Sequence, residues 1–167
     1  MMISGNKRIE IDLPCGIYYD LSSLILDLNG TLTVDGEFID GVVGRLKAIS
    51  KVLNVYVLTA DTYQSLEGLT QELRDGCCVN VHCLESGRGD LQKLAFLEDL
   101  GREHTIAIGN GCNDALMLKE AALGVCILGK EGASAEALAV ADVVFPHICD
   151  ALDMFLKRNR LIATLRK

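Results

Sequence analysis

A chain of 167 residues, half of them hydrophobic and 23% charged, has the length of one domain and the composition of a packed interior, which excludes a disordered tail or a fibrous repeat. A net charge of −7 excludes the clustered basic footprint that nucleic-acid phosphates need, so no nucleic-acid partner is expected. No apolar run is long enough to span a bilayer, and residues 1–8 lack the apolar core of a signal peptide. Seven scattered cysteines suit a reducing compartment, so no membrane insertion and a cytoplasmic location are expected.

In chain order, residues 8–12 alternate and residues 14–16 turn before Ile17-Tyr18-Tyr19, which predicts a β-hairpin annex on a sheet edge. Leu24-Ile25-Leu26 reads as a buried strand ending at Asp27. Residues 40–51 place Val42, Val43, Leu46 and Ile49 at helical spacing. Residues 55–58 form a second strand ending at Thr59, residues 62–74 a helix, and residues 79–84 a third strand. Residues 88–100 put Leu91, Leu94, Ala95, Leu97 and Leu100 on one side of a helix that Gly101 stops. Strands at 105–108, 125–128 and 143–145 alternate with helices at 112–122 and 133–140. A final helical pattern covers 149–165, with a break expected near Asn159. Cys77, Cys78 and Cys83 beside His82 match no zinc spacing.

This alternation predicts an α/β fold: a doubly wound, Rossmann-like, mainly parallel sheet with right-handed crossovers. One domain is expected, with residues 1–22 as the hairpin annex, 23–146 as the core and 147–167 as a C-terminal helical segment. Such sheets bind ligands beyond the carboxyl ends of their strands. The candidate polar residues all fall there: Asp27, then Thr59 and Asp61, then Asn110 to Asp114.

Asp27 follows three apolar residues and precedes Gly30 and Thr31, so it belongs to a strand-end loop. Backbone N–H groups in a tight glycine-containing loop cradle phosphoryl oxygens, and a carboxylate there can attack phosphorus to form an acyl phosphate. Gly109-Asn110-Gly111-Cys112-Asn113-Asp114 joins a strand to a helix and offers hard oxygen donors of the kind Mg²⁺ takes.

Together these motifs resemble the haloacid dehalogenase superfamily of phosphotransferases, from Leu24 to at least Phe145. Asp27-Leu28-Asn29-Gly30-Thr31-Leu32-Thr33 is similar to its first motif, Leu58-Thr59 to the second, Lys93 to the third, and Gly109 to Asp114 to the fourth. Within it the chain resembles the phosphorylation domain of P-type ATPases, through Gly30-Thr31-Leu32-Thr33, Thr59-Ala60-Asp61 and Asn113-Asp114-Ala115. It looks like the stand-alone "soluble P-type ATPase-like" group.

The resemblance implies Asp27 as nucleophile and Mg²⁺ ligand. The carbonyl of Asn29, the Asn110 side-chain oxygen and Asp114 are the other implied ligands. It implies phosphate contacts from Leu28, Gly30, Thr59, Ala60 and Lys93, with Thr31, Asp61 and Asn113 in support. Lys93 and the metal are expected to keep Asp27 ionised.

Two positions depart from the superfamily's pattern. Asn29 stands where phosphatases have an Asp that shuttles protons, a loss of ~10²–10⁴ in rate. Asn110 replaces a second carboxylate and predicts weaker Mg²⁺ binding. The expected function is a slow Mg²⁺-dependent phosphohydrolase or phosphotransferase with an aspartyl-phosphate intermediate. The alternative is a catalytically weak regulatory module that binds Mg²⁺ and a phosphorylated ligand or partner. The short spacings between motifs leave no room for a cap domain. The resemblance in size to capless tetrameric sugar-phosphate phosphatases makes a homo-oligomer, dimer or tetramer, the expected assembly.

Overall fold

The computed structural model describes residues 7–60, 68, 71, 73 and 78–166. Six parallel strands form the central sheet. They are β3 (Ser23–Asp27), β6 (Asn54–Thr59), β7 (Val79–Cys83), β8 (Thr105–Gly109), β9 (Leu123–Ile127) and β10 (Val143–Phe145), in the spatial order β10-β9-β8-β3-β6-β7. The chain runs from β3 outward to β6 and β7, then returns to the other side of β3 with β8. The order therefore switches between β3 and β8, the place where an open α/β sheet leaves a crevice.

Burial on both faces explains why β3, β8 and β9 read as continuous apolar runs. Alternate residues serve opposite layers. Leu24, Leu26, Val55, Val57, Ile106 and Ile108 face one core, shared with α1 (Val42–Ile49) and α5 (Ile148–Leu156). Ile25, Leu58, Ala107 and Cys126 face the other, beneath α2 (Gly89–Leu100), α3 (Ala115–Glu120) and α4 (Ala135–Val140). The C-terminal pattern divides as expected, but at Lys157, which separates α5 from α6 (Arg158–Leu165). Gly68, Gln71 and Leu73 are helical; the rest of the helix expected at 62–74 lies outside the described residues, as do Asp61 and Cys77.

Two features differ from expectation. The N-terminal hairpin, β1 (Ile9–Asp12) with β2 (Tyr18–Leu21), is a separate two-stranded sheet rather than an edge extension. It leads directly into central β3, and Ser22 N–H donates to the His104 carbonyl just before β8, so it sits at the end of the sheet opposite the candidate site. A second hairpin, β4 (Thr33–Val34) with β5 (Glu37–Phe38), occupies part of the stretch after Asp27. Its turn has positive φ at both Asp35 (52°) and Gly36 (81°), the geometry that an Asp-Gly pair favours.

Candidate active site

β3 ends at Asp27, and the register sets Asp27 opposite Leu58 on β6, so Thr59 lies one residue beyond it. On the other side Leu26 pairs with Ile108, which brings Gly109 and the loop after β8 to the level of Asp27. The sheet thus gathers three of the four motifs at one end, and α2 delivers the fourth. Lys93 on α2 is fully buried, and its Nζ lies 2.6 Å from Asp27 Oδ1 and 2.6 Å from Asp114 Oδ1.

The helix face explains this. Leu91 is 49% exposed and Ala95 is exposed, so the apolar side expected for residues 88–100 is turned outward in part. The fully inward pair is Lys93 and Leu97, one helical turn apart. A lysine is tolerated there because two carboxylates receive it; an isolated buried ammonium would lose several kcal/mol of hydration without repayment, roughly.

The loops on either side are built by their own hydrogen bonds. The Leu28 carbonyl accepts from the N–H groups of Thr31, Leu32 and Thr33 and from the Thr33 hydroxyl, curling the chain sharply after Asp27. Gly30 adopts φ +77°, and a side chain there would meet Asn110 Nδ2 at 2.5 Å. Its N–H, expected to cradle a phosphoryl oxygen, instead donates to the Thr33 carbonyl at 3.1 Å and closes the loop. Asp114 folds back so that Oδ2 accepts from the N–H groups of Asn110 (2.9 Å) and Gly111 (2.8 Å). Its carboxyl group lies where a Cβ on Gly109 would stand, so that glycine is a steric requirement.

The Asn110 side chain is held by two partners. Its Oδ1 accepts from Thr31 Oγ1 at 3.2 Å, and its Nδ2 donates to the Gly132 carbonyl at 3.0 Å. Gly132 and Glu131, in the loop after β9, were missed by sequence reasoning. Glu131 Oε1 accepts from the Asp35 N–H at 2.9 Å, tying this loop to the β4–β5 turn. No motif signals them; their place beyond a strand's carboxyl end was the one available clue. Asn29 is exposed, with Oδ1 3.5 Å from Thr33 Oγ1. Thr59 is buried, Ala60 and Asn113 are exposed, and Thr31 is buried beneath Asn110.

The electrostatics leave a surplus of negative charge. Burial, then the nearby Asp114 carboxylate, push the Asp27 pKa up to about 7, and the Lys93 ammonium only partly opposes them. Lys93 thus opposes the rise without cancelling it, and the positive charge expected of a metal would act in the same direction. Burial draws the Lys93 pKa down, but the Asp27 and Asp114 charges outweigh it and hold the ammonium above its ordinary value. Two buried carboxylates, one cation and neighbouring amide and carbonyl oxygens form a hard donor set that fits a small divalent cation far better than a soft metal. Among the described residues no group of three His, Cys, Asp or Glu side chains forms a metal cluster, and the cysteines near His82 are free where described.

Comparison with known proteins agrees with this architecture. The profile of the haloacid dehalogenase-like hydrolase family matches residues 45–151, a span that holds Thr59, Lys93, Asn110 and Asp114 and begins after Asp27. An uncharacterised protein of Methanocaldococcus jannaschii is 48% identical over 84 residues, covering 48% of this chain and 90% of that protein. The phospholipid-transporting ATPase tat-1 of Caenorhabditis elegans is 26% identical over 171 aligned positions, which cover 96% of this chain but only 14% of the ATPase.

Among solved structures, the cobalt-bound deoxy-D-mannose-octulosonate 8-phosphate phosphatase of Haemophilus influenzae superposes with a TM-score of 0.67 at 16% identity, covering 88% of this chain and 94% of that one. The Moraxella catarrhalis 3-deoxy-D-manno-octulosonate 8-phosphate phosphatase, in complex with magnesium, phosphate and KDO, gives 0.62 at 17% identity, covering 87% and 94%. These two share the fold, and no helix among the described residues is long and apolar enough to cross a membrane. With most of its length inside the family profile and its motifs converging at one sheet end, the chain belongs to the haloacid dehalogenase-like hydrolase family.

Proposed function

We propose that the protein is a phosphohydrolase that works through an aspartyl phosphate on Asp27. The observation that carries this reading is the buried Asp27–Lys93–Asp114 cluster at the switch point of the sheet. A carboxylate oxygen of Asp27 attacks phosphorus in line with the leaving oxygen. The P–O ester bond breaks, its electron pair goes to the leaving alkoxide, and solvent supplies the proton that Asn29 lacks. Lys93 neutralises charge between Asp27 and the phosphoryl group, and Thr59 donates a hydrogen bond to it. Water then attacks phosphorus, the bond to Asp27 breaks, and inorganic phosphate leaves. Asp27, the Asn29 carbonyl, Asn110 and Asp114 would hold Mg²⁺, which when bound would supply the further positive charge that phosphoryl oxygens require.

Asn29 favours a second reading, in which the site binds Mg²⁺ and a phosphorylated ligand and turns over negligibly. Hydrolysis of an aryl phosphate separates the two. Turnover that Asp27→Asn abolishes, with the fold retained by circular dichroism, supports the first; binding of phosphate analogues without turnover supports the second. The expectation that copies of the chain assemble to cover an open site extends the proposal, and light scattering in solution tests it.

A further inference from the structure

The loop after β9, residues 129–134, bonds to both halves of the site. On one side it holds Asn110: the Gly132 carbonyl accepts from Asn110 Nδ2 at 3.0 Å, and the Ser134 N–H donates to the Asn110 carbonyl at 2.8 Å. Asn110 Oδ1 in turn accepts from the Thr31 hydroxyl in the Asp27 loop. On the other side the loop sends out Glu131. The Gly132 N–H donates to the Gly129 carbonyl at 3.3 Å, which closes a turn with Lys130 and Glu131 at its centre. From there Glu131 Oε1 accepts from the Asp35 N–H at 2.9 Å, joining residues 96 positions apart.

The contact with Asp35 bears on Asp27 because the β4–β5 hairpin and the Asp27 loop share Thr33. Thr33 opens β4 and pairs with Phe38. Its N–H and hydroxyl donate to the Leu28 carbonyl, and its carbonyl accepts from the Gly30 N–H. Strands of two residues give the hairpin few hydrogen bonds of its own. An anchor at its turn therefore limits how far Thr33, and the loop that Thr33 closes, can shift. Glu131 Oε2 lies 3.1 Å from where a Cβ on Gly30 would stand. A carboxylate beside a loop expected to receive a phosphoryl group repels that group, so phosphate binding does not account for an acid here. The hydrogen bond to the hairpin does.

We infer that Glu131 is a positioning residue, and that residues 129–134 form a clamp that sets the Asp27 loop and Asn110 relative to each other. The inference rests on the phosphohydrolase reading and adds to it a residue outside the four motifs. The test compares Glu131→Ala, which loses the acceptor, with Glu131→Gln, which keeps an oxygen for the Asp35 N–H and removes the charge. In-line attack depends on alignment, so in Glu131→Ala kcat on an aryl phosphate falls by roughly tenfold to a hundredfold. KM changes little, because Thr59 and Lys93 stand on other elements. Glu131→Gln restores kcat and does not raise KM. Glu131 is exposed, so both variants are expected to fold, and circular dichroism at the assay temperature checks it.

A wild-type kcat in Glu131→Ala overturns the inference. So does an equal loss in Glu131→Gln, which would assign the effect to the charge and not to the hydrogen bond. Hydrogen exchange of the metal-free proteins reads the clamp without turnover. Faster exchange in Glu131→Ala across residues 30–33, with Glu131→Gln like the wild type, supports it. Faster exchange confined to residues 34–37, or none, overturns it. Absence of hydrolysis by the wild type would count against the phosphohydrolase reading alone, and the exchange would still decide whether Glu131 holds the Asp27 loop.

Discussion

Lys93 Nζ stands 2.6 Å from Asp27 Oδ1, a buried ion pair between the end of the central strand and the middle of a helix. The same ammonium is 2.6 Å from Asp114, so one cation holds two carboxylates that would otherwise repel each other. Lys93→Met removes that cation and is expected to destabilise the metal-free protein by about 3–5 kcal/mol, the usual cost of breaking a buried pair. Urea unfolding without metal measures it. Adding Asp27→Asn to Lys93→Met should recover part of the loss, because only one carboxylate then remains charged.

Asn29→Asp tests the missing proton shuttle. Asn29 is exposed, so the change costs little packing. If leaving-group protonation and water activation limit the wild type, kcat should rise by about 10² or more. Rapid-quench kinetics should then show less accumulated phospho-enzyme in the variant than in the wild type. An unchanged kcat would place the limitation elsewhere.

Asn110→Asp should not simply restore a lost metal ligand. The Asn110 amide donates to the Gly132 carbonyl at 3.0 Å, and a carboxylate would set oxygen against oxygen there. The metal-free variant should lose about 1 kcal/mol, the scale of one lost hydrogen bond at a half-buried position. Added Mg²⁺ should raise its Tm more than it raises that of the wild type, because the extra charge binds the ion more tightly. Thermal melts with and without Mg²⁺ read both effects.

Acid stability depends in part on a contact far from the site. Arg45 on α1 donates through Nε (2.8 Å) and Nη2 (3.2 Å) to the two carboxylate oxygens of Asp153 on α5. The hydrogen bond from Arg45 holds the Asp153 pKa below its ordinary value. A carboxyl group with a depressed folded-state pKa adds stability that is complete above the ordinary carboxylate range and is lost as pH falls through the depressed value. Arg45→Met should therefore lower Tm near neutral pH, and the gap to wild type should narrow as the solution is acidified. A gap that stays constant would show that the pair is held by packing and not by charge.

The sequence carried the chemistry better than the geometry. Asp27, Thr59 and Asp114 were legible because each follows an apolar strand at its carboxyl end, Asp27 and Asp114 in glycine-containing loops. Lys93 was legible only through the family resemblance. Its burial contradicts residue-type preference and follows from the two carboxylates brought to it by tertiary structure. The same cause turned Leu91 outward. The β4–β5 hairpin went unread: its strands have two residues each, too short for alternation to register. Glu131 and Gly132 belong to the site's surroundings through loop packing alone, which no local pattern encodes.

The central claim is that Asp27 carries the phosphoryl group. The direct measurement is trapping with borohydride after brief exposure to a phosphate donor and Mg²⁺, followed by peptide mass spectrometry. Borohydride reduces an aspartyl phosphate to homoserine. The account predicts homoserine at position 27, absent when donor or Mg²⁺ is omitted. Phosphate release with an unmodified Asp27, or equal release by Asp27→Asn, would contradict it.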